Sequence, residues 1–163
     1  MNFPATWSTS VRLVSALTTI LLLTIAYFIY PTSPPWGHLA TGLCLFILVG
    51  SLLFTIRGYR LDPQTKTLHI KRLLWSTKIS LEDLESATPD PNAMKGSIRL
   101  FGNGGLYSFT GLFRNDKLGN YRAFVTNPKH SVVLKFASRK PILVSPADPE
   151  AFSDSAKQHP KSK

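Results

Sequence analysis

Cysteine is nearly missing from this 163-residue chain: it occurs once, at Cys44, so neither an internal disulfide nor a cysteine cluster can form. The four histidines, His38, His69, His130 and His159, are scattered without the spacing of a metal-ligand set. No G-x-S-x-G elbow and no G-x-x-x-x-G-K-[ST] loop is present. The acidic cluster Glu82/Asp83/Glu85 has no histidine or cysteine near it in sequence and reads as a solvated end of an element. Catalysis, metal binding and cofactor binding are therefore not expected. Negative charge is also scarce, with 9 Asp and Glu against 19 Lys and Arg and a net charge of +10.

Charge of either sign is missing from most of the first third. Leu13–Tyr30 is 18 residues without a charge, and Trp36–Ile56 is 21 residues whose ionisable side chains are His38 and Cys44. A bilayer core about 30 Å thick needs roughly 20 apolar helical residues to cross it, so each segment is long enough. Only Pro31–Pro35 joins them, which predicts a helical hairpin in a membrane. Two buried helices of a soluble core would need cover on all sides. The 107 residues after Ile56 are too basic and too strand-like to supply it. Cys44, inside the second segment, is expected to be a small packing residue.

Arg12 precedes the first segment, the connecting turn carries no charge, and Arg57 and Arg60 follow the second. The positive-inside rule then puts both termini in the cytoplasm and the turn outside, as expected of a protein with two spans. A cleaved signal peptide fits less well, because the first apolar run is long and ends in Tyr27-Phe-Ile-Tyr30 rather than in small residues. Trp7, Tyr27, Tyr30 and Trp36 fall where aromatic belts lie.

After Ile56 come 18 Lys and Arg against 9 Asp and Glu, a formal +9, which suits an anionic neighbour. Arg57-Gly58 is too short a linker to hold a domain away from the bilayer. Tyr59–Asp62 is strand-like, Asp62–Lys66 carries turn chemistry, and Thr67–Leu73 and Trp75–Leu81 alternate as an antiparallel hairpin. Glu82–Ala87 is either a short strand or a helical turn begun at Ser80. Further strands are expected at Ser97–Phe101, Leu106–Phe113, Tyr121–Thr126, Ser131–Ala137 and Pro141–Val144, with Gly102–Gly105 as the turn between the first two. Asp148 as N-cap and Pro149 at the first helical position open a final helix. The expected architecture is α+β: a transmembrane hairpin, then an antiparallel barrel or bent sheet of about seven strands closed by a C-terminal helix. The divisions are a lead-in at 1–10, the hairpin region at 11–57 with spans near 13–30 and 36–56, a domain at 58–158 and a tail at 159–163.

Several runs carry a family likeness: Gly58-Tyr-Arg-Leu-Asp62, Ile70-Lys-Arg-Leu-Leu-Trp-Ser-Thr-Lys-Ile79, Gly96-Ser-Ile-Arg-Leu-Phe-Gly-Asn-Gly-Gly-Leu106, Phe113-Arg-Asn115, Leu118-Gly-Asn-Tyr-Arg-Ala123 and Pro146-Ala-Asp-Pro-Glu-Ala-Phe152. In these residues and in the order of its elements, the chain resembles the bacterial pleckstrin-homology-like family that follows one or two membrane helices. The resemblance covers about two-thirds of the chain. It implies the fold and membrane attachment, and says little of biochemical function. Pleckstrin-homology domains that read phosphoinositides cluster basic residues around the first hairpin. Lys66, Lys71, Arg72 and Lys78 fall in that region and are candidates to face anionic lipid.

A second candidate patch surrounds the glycine turn. Gly102–Gly105 reads either as a plain hairpin turn or as a backbone anion cradle containing Asn103. As G-x-G-x-x-G it fails, because Tyr107 stands where the third glycine belongs. Arg99, Arg114, Lys117 and Arg122 either converge on an anion or partner or form a solvated strand face. Aromatics among them suit single-stranded nucleic acid, yet alternate aromatics fill barrel cores, and a domain held on a bilayer argues against nucleic acid. The expected role is a non-catalytic binding or scaffolding module for anionic lipid headgroups or an envelope protein. The alternative is a structural subunit assembled through its hairpin, where Gly42, Gly50 and Ser51 permit close helix approach.

Overall fold

A computed structural model describes residues 1–29 and 35–157 of the chain. The connecting turn at 31–34 and the tail at 159–163 fall outside the described residues.

Two apolar helices come first. α1 (Thr9–Ile29) opens where the Ser8 hydroxyl accepts the amide of Val11 at 3.2 Å, an N-cap that satisfies one of the helix's unpaired donors. α2 (Pro35–Leu53) begins on proline, whose missing N–H costs nothing at a first helical position. At 21 and 19 residues they are long and apolar enough to cross a membrane. Most of their surface is exposed, with 6% and 11% of the two spans buried, whereas a soluble core would cover such helices. They pack on each other. Arg12 lies inside the first turn of α1 rather than ahead of the helix, and α2 stops at Leu53, short of the expected Ile56. Thr55 still bonds back to the carbonyls of Leu52 and Ser51, whereas Ile56 belongs to the domain core, where it is fully buried.

Among the described residues, ten strands form two sheets. The first has the order β1 (Asn2–Pro4), β2 (Gly58–Asp62), β3 (Thr67–Lys71), β4 (Ser76–Ser80), antiparallel throughout. β1 corrects the reading of residues 1–10 as a mere lead-in. Three residues that carry no periodic pattern become an edge strand because Phe3 packs edge-on against Phe152, its ring 5.2 Å away. The second sheet runs β5 (Leu84–Pro89), β9 (Val132–Phe136), β10 (Ile142–Val144), β8 (Gly119–Val125), β7 (Phe109–Asn115), β6 (Ile98–Gly104). The ambiguous segment after Leu81 is thus a strand. One pairing departs from an all-antiparallel sheet: the β9–β10 hairpin inserts β10 beside β8 in parallel register.

The inward rows of both sheets meet in one core. Tyr59, Leu61, Leu68, Ile70 and Ile79 face Phe124, Val132, Leu134 and Val144, and α3 (Pro149–Lys157) closes it with Phe152 and Ala156. Asp148 caps α3 as its sequence implies, accepting the amide of Ala151 at 3.0 Å. On the far side of the second sheet, Phe113, Tyr121, Val125 and Leu143 pack under Ala93 and Met94. The glycine run does not turn where the sequence suggests. Gly102, Asn103 and Gly104 are still strand, and the reversal falls at 105–108. Gly102 and Gly111 lie opposite each other with φ of 106° and 137°, where each main chain comes too close to the other for a Cβ.

Candidate membrane-facing site

The first sheet turns the rows of Tyr59–Ile70 and Leu61–Leu68–Ile79 inward and the alternate rows outward, and basic residues collect on the outward side. Register places Arg60, His69 and Lys78 directly across three strands. At about 4.8 Å per strand they span roughly 10 Å. Lys71 stands one outward row further on, at the end of β3 where its carbonyl accepts the Arg57 amide at 2.9 Å. Its ammonium donates to the side-chain oxygen of Asn2 in β1 at 3.1 Å. Asp62 shares this face. The Thr65 hydroxyl and the Gln64 amide, with Arg60 nearby, hold its carboxyl below the usual range and tie it to the β2–β3 turn.

The expected quartet is therefore only partly assembled. Lys71 and Lys78 share the outward face. Lys66 sits in the β2–β3 turn with φ of 46°, about 16 Å along β3 from Lys71. Arg72 points the other way. It is 8% exposed, and its Nη1 donates at 2.8 Å to the carbonyl of Phe54 just past α2, while Nε donates to the Thr77 hydroxyl at 3.3 Å. Its guanidinium lies over the rings of Phe54, Phe124 and Trp75, 5.3 to 5.8 Å from their centroids. Burial, and then the positive charge of Arg122, push its pKa down. Sequence alone marks Arg60 only as a charge flanking the second apolar segment and gives His69 no role at a surface; the strand register that brings both to Lys78 is the signal that finds them.

The second patch divides similarly. Arg114 and Arg122 emerge on one face of β7 and β8 together with Leu112, and Arg122 covers the Phe124 ring at 4.9 Å. Arg99 lies on β6 with its guanidinium donating to the carbonyl of Gly102. Lys117 is paired with Asp90 at 2.5 Å. Asn103 is spent on the turn: its side chain donates to the Leu106 carbonyl and accepts the Leu106 amide. That turn docks on α1. The Tyr107 amide donates to the Ser15 hydroxyl at 2.8 Å, and its phenol meets the Thr19 hydroxyl at 2.6 Å.

The domain thus touches both helices, α1 through Tyr107 and α2 through Arg72 and Trp75, whose ring packs on Phe54 at 5.2 Å. Among the described residues no three His, Cys, Asp or Glu side chains gather as a metal site. Asp83 holds Ser138 and Arg139 across the ends of β5 and β9, which places its carboxyl below the usual range through the Ser138 bond first. His130 faces the carbonyl of Ala147 at 3.1 Å.

A family model described as a bacterial PH domain matches residues 57–160. No curated protein and no solved structure matches the chain.

Proposed function

The chain belongs to the bacterial PH domain family, and we propose that it is a two-span, non-catalytic binding and scaffolding module of the bacterial inner membrane. Its domain and both termini are cytoplasmic, and the domain engages anionic headgroups or an envelope protein partner. The observation that carries this reading is the lack of slack at the junction. Ile56 is already in the core, and Arg72 grips the carbonyl of Phe54, so the domain is held against the end of α2, which supports a domain seated on the bilayer rather than tethered near it. The basic termini of the hairpin support the orientation. The row Arg60–His69–Lys78, with Lys71 at the end of β3 beside α2, supports an anionic surface as the ligand, each Lys or Arg contributing about 1 kcal/mol near the headgroups.

The test is lysine acetylation of the full chain in nanodiscs of neutral or anionic lipid, at low and raised salt. Lys71 is expected to be shielded most, Lys78 less and Lys66 least, in anionic discs alone, with the protection lost in salt. Equal labelling in both lipids would remove headgroups as the ligand and leave a protein partner.

One observation favours the second reading, a subunit assembled through its hairpin. A Cβ at Gly42 or Gly50 would meet nothing within 4 Å, so neither is used by α1 and both leave room for another helix. Crosslinking along Leu39–Phe54 that captures lipid alone would count against it.

A further inference from the structure

Among the described residues beyond Phe54, the exposed large apolar side chains fall in two places. One is the β3–β4 connection, Leu73 to Trp75; the other is the β6–β7 hairpin, with Ile98, Leu100, Phe101 and Leu112. Phe101 is 76% exposed and Leu74 is 73% exposed. A water-facing domain seldom gathers such residues, and patches of this kind mark interaction surfaces. Both places are those by which the domain touches the helices: Trp75 beside Phe54, and the β6–β7 turn beside Ser15 and Thr19.

Depth follows from where the turn docks. Arg12 is exposed and needs water or headgroups. Ser15 and Thr19 lie three and seven residues further along α1, which at 1.5 Å per residue is about 5 and 10 Å deeper. Interfacial apolar elements bury to a similar depth of about 5–10 Å. The neighbouring α1 surface is apolar too, with Leu13 and Leu17 exposed.

Non-helical backbone survives at such depth only when its polar groups are satisfied within the protein. The turn's amides at 105–107 meet that condition. The Gly105 amide donates to the Ser108 carbonyl at 3.1 Å, the Leu106 amide to Asn103 and the Tyr107 amide to Ser15. The Tyr107 phenol meets Thr19, and the hydroxyls of Ser108 and Thr110 meet at 3.0 Å.

We infer that the apolar side chains of the β6–β7 hairpin and of the Leu73–Trp75 loop enter the lipid leaflet beside the two helices, their ligand being phospholipid acyl chains and glycerol backbone, while the open outer edge of β6 stays at the hydrated glycerol level. Arg114 and Arg122, on the same face as Leu112, then reach up to lipid phosphates along their aliphatic stems. This rests on the anchor reading above and goes beyond it: a domain lying on the surface would contact headgroups only.

The experiment uses the full chain with Cys44→Ala, reconstituted in vesicles, with single spin labels at Phe101, Leu74, Leu17 and Lys135. Collision with oxygen reports lipid, and collision with a water-soluble nickel chelate reports solvent. Labels at Phe101 and Leu74 are expected to match Leu17, favouring oxygen and several-fold less open to nickel than Lys135. If they match Lys135 while Leu17 stays lipid-like, the immersion is wrong and the anchor stands. If Phe101 is sheltered from both reagents, protein covers the hairpin and lipid does not. If Leu17 itself is open to nickel, the anchor reading falls along with the immersion.

Discussion

The guanidinium of Arg72 donates a 2.8 Å hydrogen bond to the carbonyl of Phe54, and its plane rests against the Phe54 ring that the carbonyl belongs to. One side chain thereby ties β3 to the end of α2 and supplies a donor to a main-chain oxygen that the helix itself leaves unpaired. It is a cation used as a fastener.

Replacing Arg72 with methionine keeps the apolar stem and removes the fork. The lost charged hydrogen bonds predict a destabilisation of about 2 kcal/mol. Thermal unfolding of the full chain in detergent, followed by tryptophan fluorescence, measures it. Lysine should rescue only part of the loss, because an ammonium cannot reach both Phe54 and Thr77 while stacking on the rings. Equal stability of the methionine variant would show that the junction is held by apolar contacts alone.

Tyr59 predicts a pH dependence. Its phenol is buried, donates to the Phe124 carbonyl at 2.7 Å and accepts the Ser145 amide at 3.1 Å. Burial pushes its pKa up to about 12 from 10.0. An unfolded tyrosine loses its proton above pH 10, while the folded one keeps it to about 12. The stabilisation is therefore complete below pH 10 and is lost as pH rises toward 12, by about 1.4 kcal/mol per pH unit. Unfolding midpoints of wild type and Tyr59→Phe between pH 9 and 12 isolate this contribution: the wild type should fall more steeply. Parallel curves would contradict it.

Gly111 is predicted to be the least replaceable glycine of the β6–β7 hairpin. An added Cβ would collide with the Phe101 carbonyl, and its φ of 137° is unfavourable for alanine. Gly111→Ala should cost at least about 2 kcal/mol. Gly96→Ala is the comparison, since its Cβ would meet nothing within 4 Å and only the positive φ remains. Hydrogen exchange of the β6 and β7 amides should rise in the first variant and not in the second.

The sequence made the helices, the alternating strands β2 to β4 and the start of α3 legible, because uninterrupted apolar length, period-two alternation and Asp148-Pro149 are local signals. Residues whose role depends on distant partners were harder to place. Arg72 looks like Lys71 in composition, yet it follows Leu68 and Ile70 at a period of two, so the alternation already turned it inward. Asn103 and its glycines looked like a turn. They remain strand because Gly102 and Gly111 let two main chains approach, a contact between residues nine apart that no local pattern announces. Arg60, His69 and Lys78 become one row only once the register is known. The pairing of Asn2 with Arg60 spans both helices and left no trace in the three residues of β1.

That pairing governs the order in which the molecule can be made. β1 leaves the ribosome first, but its partner β2 emerges only after both helices have been synthesised. If the helices cross the bilayer, a single crossing separates the two strands, and the second brings them back to one side. A chain with one helix stalled would strand β1 across the membrane from the sheet it completes, and would leave Phe152 without the Phe3 ring that covers it. In a chain whose helices span, completing the first sheet would therefore require both helices to cross together.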